Sequence, residues 1–314
     1  MKIMIMGSGA VGSYFGAVLY KGGHEVVFVA RGPHLDAIRK SGLNIESVSA
    51  GNFNISPTVV EEPDGSWIPD LILFTVKGYD NEEAVESIRT AIGASTVILT
   101  LQNGVGSGDV LSKAFGPECV LIGVTYINAL RKTPGTVTET DGDANIVFGR
   151  EYGANGDRED AIRDALDVNG IDVVLTSNIA GEQWKKMLFI TTWSGMTCMI
   201  RGHFEEVLAT QDTMEAALSV MRETDSVARA RGVDLKDDAV ESMMEFVTSI
   251  DGKTVSSMYY DLQEGNPLEV NVINGAVSRI GQSLGVPTPA NDMITACLAV
   301  PHKRAIAKRV SSRG

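Results

Sequence analysis

Only three of the 314 residues are cysteines, four are histidines, and aromatic residues make up 6% of the chain. Cys119, Cys198 and Cys297 lie far apart in apolar surroundings, which excludes a disulfide framework and reads as buried thiols of a reducing compartment. His24, His34, His203 and His302 form no short-spaced ligand group, so no metal is expected. Basic residues are outnumbered, 27 Lys and Arg against 40 Asp and Glu, leaving a net charge of −13. That balance argues against wrapping a nucleic-acid backbone, while a local basic pocket for an anionic cofactor stays compatible with it. No uncharged apolar run approaches the roughly 18 residues of a membrane span, so none is expected. Strand pattern begins at once after Met1, so no signal peptide is expected and the cytoplasm is the default.

Glycine is plentiful, with 33 residues, and six positions near the start give it meaning. Lys2 to Met6 is a short apolar strand pattern that runs into Gly7-Ser8-Gly9-Ala10-Val11-Gly12, and a small-residue apolar stretch follows to Leu19. This is strand, tight turn, helix. Gly7 permits the turn, Gly9 lets a pyrophosphate approach the backbone, and Gly12 lets the helix pack on the strand. The N–H groups of Ser8, Ala10 and Val11 lie in the same helix start, which holds phosphates. A second strand pattern, Glu25 to Ala30, closes a β-α-β unit of the length expected for dinucleotide binding. Arg31 follows, where a site for NAD offers Asp or Glu to the ribose 2′-hydroxyl; its forked donors match a phosphate and point to NADPH/NADP+. The alternative is an arginine that merely starts a solvated helix.

Strand-like pieces lie between Gly42 and Val60. Near-continuous apolar runs over Pro69–Val76, Thr96–Leu101 and Cys119–Tyr126 read as parallel strands covered on both faces. Lys77 stands directly beyond the first of these runs and Asn103 just beyond the second, where open α/β sheets bind ligands. Asn103 is also a plain candidate for an Asn-Gly turn. Thr136–Thr140 and Asn145–Phe148 could pair as a hairpin across Asp141-Gly142-Asp143. A helix over 156–168 and a strand over Ile171–Leu175 close the first domain near residue 176.

From residue 179 every segment is a helix candidate: Ile179–Met199, His203–Ala230, Leu235–Ile250, Lys253–Gln263, Leu268–Leu284 and a last helix to about Val300, followed by a basic surface tail over His302–Arg309. The expected architecture is therefore a Rossmann-type doubly wound α/β domain, 1–176, followed by an all-helical domain, 177–314, with the substrate in the interdomain cleft. Lys186, Ile190 and Ser194 share one face of the first long helix. A lysine in so apolar a helix either reaches the surface or faces a polar cleft, because an unpaired buried ammonium is costly. Glu269 after Gly-Asn-Pro reads as a first-turn carboxylate, and Ser256 and Ser257 as helix caps, unless chemistry claims them.

The ordered set Gly7–Gly12, Arg31, Thr75-Val76-Lys77, Leu101-Gln102-Asn103-Gly104, Glu182-Gln183-Trp184-Lys185-Lys186-Met187, Ser256-Ser257-Met258, Glu269 with Asn271 and Asn274, and Gly285–Asn291 resembles the ketopantoate reductase (2-dehydropantoate 2-reductase) family over almost the whole chain. The resemblance implies reduction of the 2-oxo acid ketopantoate to (R)-pantoate by NADPH, in pantothenate biosynthesis, by a two-domain protein that often forms a homodimer. It makes Lys186 the proton donor and Glu269 the carboxylate that binds the substrate hydroxyl and orients the lysine. Ser257 becomes a contact to the substrate carboxylate, Asn103 stands at the cofactor–substrate junction, and Lys77 lies on the nicotinamide side. One and two turns after the lysine the family usually presents asparagines. Here Ile190 cannot hydrogen-bond and Ser194, kept as a substrate contact, is shorter than an amide, so another 2-oxo acid with a more apolar side chain fits at least as well; the alternatives are a reductase of the same architecture for such an acid or an opine-like substrate, and a non-catalytic NADP-sensing protein.

Overall fold

The computed structural model describes residues 1–250, 253 and 255–311. The chain divides into two units. One is Met1–Gln102 with Ser107–Ile179; the other is Asn103–Gly106 with Ala180–Gly314.

The first unit is built on eleven strands among the described residues, joined in one sheet. They are β1 (Lys2–Met6), β2 (Glu25–Val29), β3 (Leu43–Ser47), β4 (Phe53–Ile55), β5 (Thr58–Val60), β6 (Leu71–Phe74), β7 (Val97–Thr100), β8 (Val120–Val124), β9 (Ile127–Thr133), β10 (Thr136–Gly149) and β11 (Asp172–Leu175). Helices α1 (Ala10–Lys21), α2 (Gly32–Ser41), α3 (Asn81–Ser87), α4 (Ser107–Phe115) and α5 (Asp157–Leu166) connect them. The order β5-β2-β1-β6-β7-β8 is parallel throughout, which is the doubly wound order with its topological switch between β1 and β6. Alternation explains the layering. Ile3 and Ile5 of β1 join the core under α1, whereas Met4 and Met6 join the core on the opposite face with Ile72 and Phe74. α1 lies so close to the sheet that a Cβ on Gly16 would stand 2.6 Å from Phe28 and Ile5 side-chain atoms, so glycine is required there.

The expected hairpin over residues 136–148 does not form. Residues 136–149 make one long strand, β10, and its hairpin partner is β9, turned at Pro134-Gly135 with Gly135 at φ +79°. Gly142, at φ +77°, bends the strand instead of reversing it. Glu139 holds that bend: its carboxylate accepts the Gly142 N–H (2.6 Å), the Ser47 hydroxyl (2.7 Å) and the Ser49 N–H (3.1 Å) and hydroxyl (2.9 Å).

The second unit is helical: α6 (Ile179–Ile200), α7 (Phe204–Leu208), α8 (Gln211–Ala230), α9 (Ala239–Ser249), α10 (Ser257–Gln263), α11 (Asn274–Leu284) and α12 (Pro289–Ser311). The stretch expected as one helix from His203 to Ala230 is two. Thr210 caps α8 by accepting the Thr213 N–H and so ends the continuity. The helix expected over Lys253–Gln263 starts only at Ser257, with Thr254 outside the described residues, because Ser256 caps it by accepting the Tyr259 N–H. Glu269–Asn271 is a short 3-10 turn, so the helix expected from Leu268 begins at Asn274. α12 continues through Pro301 into the basic tail. Burial holds it there: His302 and Ala305 face inward, and His302 Nδ1 accepts the Leu268 N–H at 3.0 Å. No helix among the described residues is long and apolar enough to cross a membrane.

Candidate active site

The switch point of the first unit carries the glycine-rich loop. Gly7 leaves β1 at φ +100°, and a Cβ there would stand 2.7 Å from the Val76 backbone nitrogen. Gly12 is equally constrained, with a Cβ 2.3 Å from both the Gly7 carbonyl and Thr75 Oγ1. Gly9 is the opposite case: a Cβ would meet nothing within 4 Å. The loop is thus packed on its inner side and open at Gly9, where α1 begins without a side-chain cap. First-turn N–H groups of Ala10, Val11 and Gly12 have no carbonyl partner within a helix, so the loop fits a pyrophosphate. Ser8 contributes otherwise. Both its N–H (3.1 Å) and its hydroxyl (2.9 Å) donate to the Val29 carbonyl, tying the loop to β2.

Residues given no role by the sequence reading hold this loop, among them His34 and Ser13, together with Thr75 and Gln102 of the quoted motifs. Thr75 Oγ1 donates to the Gly7 carbonyl at 2.7 Å. Behind the loop, Gly135 N–H donates to His34 Nδ1 (3.0 Å), which leaves the Nε2 proton to face Ser13 Oγ (3.3 Å), and Ser13 donates to the Ser8 carbonyl (3.0 Å). Burial, then the positive charge of Arg131, pushes His34 down to about 4, so the ring is neutral and this relay is intact at neutral pH. Gln102 ties the ends of β6 and β7 together, donating to the Val76 carbonyl (2.7 Å) and to Asn81 Oδ1 (2.6 Å). Lys77 follows Val76 and opens a 3-10 turn over Gly78–Asp80. Arg31 stands at the residue before α2 without a side-chain capping bond, and its guanidinium is ion-paired to Glu83 of α3. Such partners lie tens of residues away in sequence, so no local pattern could have announced them.

In the helical unit, α6 brings Lys186 and the Asn103 loop together. Lys186 Nζ donates to Asn103 Oδ1 at 2.7 Å, and one turn earlier Gln183 Nε2 donates to the Gly104 carbonyl at 3.2 Å. Gly104, at φ +88°, admits the loop against residue 272: a Cβ would stand 2.1 Å from the Val272 carbonyl, and Val105 N–H donates to that carbonyl at 3.1 Å. An ammonium only donates, so the Asn103 oxygen must face it, and the Asn103 NH2 is directed elsewhere as a donor. Desolvation draws Lys186 down from the ordinary lysine value to about 8, and the negative charge of Glu269 opposes that fall. Glu269 is itself buried, at the start of the 3-10 turn that leads into α11. Three expected residues, Asn103, Lys186 and Glu269, therefore form one electrostatic group.

Ile190 and Ser194 continue the Lys186 face of α6, both buried. Ile190 belongs to the helical core with Trp184, Leu188 and Trp193. Ser257 is the first residue of α10 and is exposed; the capping role falls to its neighbour Ser256.

Comparison with known proteins gives these groups a context. The family described as "Ketopantoate reductase PanE/ApbA" matches residues 3–152, and its companion, "Ketopantoate reductase PanE/ApbA C terminal", matches residues 178–302. A 2-dehydropantoate 2-reductase of Lactococcus lactis is 29% identical, covering 94% of this chain and 96% of that protein. Among solved structures, a PanE/ApbA family ketopantoate reductase from Ralstonia eutropha superposes with a TM-score of 0.89 at 28% identity, over 97% of this chain and 99% of the other. A D-mandelate dehydrogenase with NADH and anilino(oxo)acetate superposes with a TM-score of 0.88 at 26% identity, over 96% of this chain and 98% of the other.

Proposed function

We propose, from the premise that the chain belongs to the ketopantoate reductase PanE/ApbA family, that this oxidoreductase reduces the keto group of a 2-oxo acid with NADPH and that ketopantoate is its substrate. The observation that carries the reading is the Lys186–Asn103–Glu269 group, a cation of lowered pKa fixed by an amide and backed by a carboxylate. When bound at the glycine-rich loop, NADPH supplies the hydride. Negative charge then grows on the keto oxygen, and a fixed cationic donor stabilises that charge more in the transition state than before it. Lys186 gives its proton to that oxygen. Asn103 holds the ammonium in place and turns its own N–H donors outward. Glu269 keeps Lys186 protonated by its charge and accepts the substrate's hydroxyl. Ser194 and Ser257 offer hydroxyls to the substrate's polar groups. Arg31 reads the 2′-phosphate, and Lys77 lies at the carboxyl end of β6 on the nicotinamide side.

A second reading rests on Ile190. Its apolar side chain takes a place where the resemblance leads one to expect an amide, and a polar substrate group facing it would lose about 1–3 kcal/mol of hydrogen bonding. A 2-oxo acid with an apolar side chain, as in the mandelate dehydrogenase relative, avoids that loss. Rates of NADPH oxidation across a panel of 2-oxo acids decide between them. A kcat/KM highest for ketopantoate supports the first reading. Preference for phenyl- or alkyl-substituted acids supports the second, and no oxidation with any member would defeat both.

A further inference from the structure

Arg31 is already engaged by a carboxylate, and the topology shows where. β2 and β6 flank β1 on its two sides. Arg31 follows β2, and Glu83 lies in the first turn of α3, which follows β6. Their ion pair therefore spans the carboxyl end of β1, where Gly7 starts the phosphate loop. Both side chains remain accessible, Arg31 at 33% and Glu83 at 47% exposure, so an incoming nucleotide can reach either.

We propose that Glu83 is a specificity-determining residue for the cofactor, acting against Arg31. The proposal rests on the reading of Arg31 as the group that recognises a 2′-phosphate. A 2′-phosphate must take the guanidinium from Glu83 and then lie beside a second negative charge. A 2′-hydroxyl meets neither obstacle and finds in Glu83 an acceptor for its proton. The pair thus offers a donor to the phosphorylated ribose and an acceptor to the free one, and Glu83 narrows the NADPH preference that a lone arginine would give.

Equilibrium binding of NADPH and NADH without substrate, measured by calorimetry on the full chain, tests it in the unmodified protein, Glu83→Gln and Arg31→Ala. Glu83→Gln keeps the shape and removes the charge, so NADPH should tighten about three- to tenfold and NADH should weaken about two- to threefold. The NADPH-to-NADH affinity ratio should therefore widen about tenfold. Arg31→Ala should collapse that ratio to one or below, because Glu83 then stands alone against the phosphate and with the hydroxyl. If Arg31→Ala collapses the ratio while Glu83→Gln leaves it unchanged or narrows it, the role of Glu83 is wrong and the reading of Arg31 stands. If Arg31→Ala leaves the ratio unchanged, the reading of Arg31 itself fails. Circular dichroism of each variant separates these results from a loss of fold.

Discussion

In the proposed reaction Lys186 is the proton donor, and its environment sets a measurable limit. Burial draws it from 10.5 to about 8, a cost of about 3 kcal/mol to the charged form. Near pH 7 about nine-tenths of the molecules still carry the proton, yet the acid is far stronger than an ordinary lysine and closer to the best pKa for transfer near neutrality. The rate of single-turnover hydride transfer from bound NADPH should then be flat below about pH 7 and fall about tenfold per unit above pH 8. Glu269 is the influence that raises Lys186, so Glu269→Gln should move this limb to lower pH and also weaken substrate binding. Lys186→Ala should slow the step by about 10²–10⁴ and flatten the limb, with NADPH affinity kept. Lys186→Arg should restore little, because a guanidinium holds its proton near neutral pH. Rapid-mixing absorbance at the NADPH band reads all four proteins. A limb that persists in Lys186→Ala, or its absence from the unmodified protein below pH 9.5, would refute the assignment.

Other expectations follow from the glycine loop, the buried His34 and Glu139, and Ile190. Gly9→Ala should leave the melting temperature unchanged, since a methyl there meets nothing, while weakening NADPH binding; Gly12→Ala should lower stability by about 1–3 kcal/mol in urea titrations through its 2.3 Å clashes. His34 is held below its unfolded value, so the stability it contributes is complete above pH 6.5 and is lost as pH falls towards about 4. That amounts to about 3 kcal/mol, and a His34→Asn variant should show a weaker pH dependence over this window. The Glu139 carboxylate is destabilised by its own burial, but hydrogen bonds from Ser47, Ser49 and Gly142 outweigh this and hold it at about 2. Its contribution is present above pH 4.5 and disappears as pH falls to about 2, which Glu139→Gln should abolish in the same titrations. Ile190→Asn should raise kcat/KM for ketopantoate relative to phenylglyoxylate by about tenfold, the worth of one regained hydrogen bond in steady-state assays.

The parallel sheet and its phosphate loop were legible because strand, Gly7–Gly12 and helix are local patterns whose spacing is fixed by geometry. Runs such as Leu71–Phe74 announced buried strands for the same reason. What misled was competition between turns: Gly142 looked like a hairpin tip, but Pro134-Gly135 took that role and Glu139 converted the second turn into a bend. An end of the last helix near Val300 did not hold, because packing of His302 and Ala305 carries α12 through Pro301. In the candidate site, the separation of Lys186 and Ile190 on one helix face could be counted, whereas their partners could not. Asn103 meets Lys186 across 83 residues, Gly135 meets His34 across 101, and Glu83 meets Arg31 across 52. Such pairings depend on tertiary folding, which no window of sequence contains.

In the proposed reaction a hydride passes from NADPH to C2 of a 2-oxo acid. The most direct measurement uses NADPH deuterated at the transferring position, mixed with the purified protein and the best substrate of the panel, with the product analysed by mass spectrometry and NMR. One deuterium at C2 of the 2-hydroxy acid is expected for each NADPH consumed. NADPH bound at the loop without deuterium reaching any 2-oxo acid would contradict it.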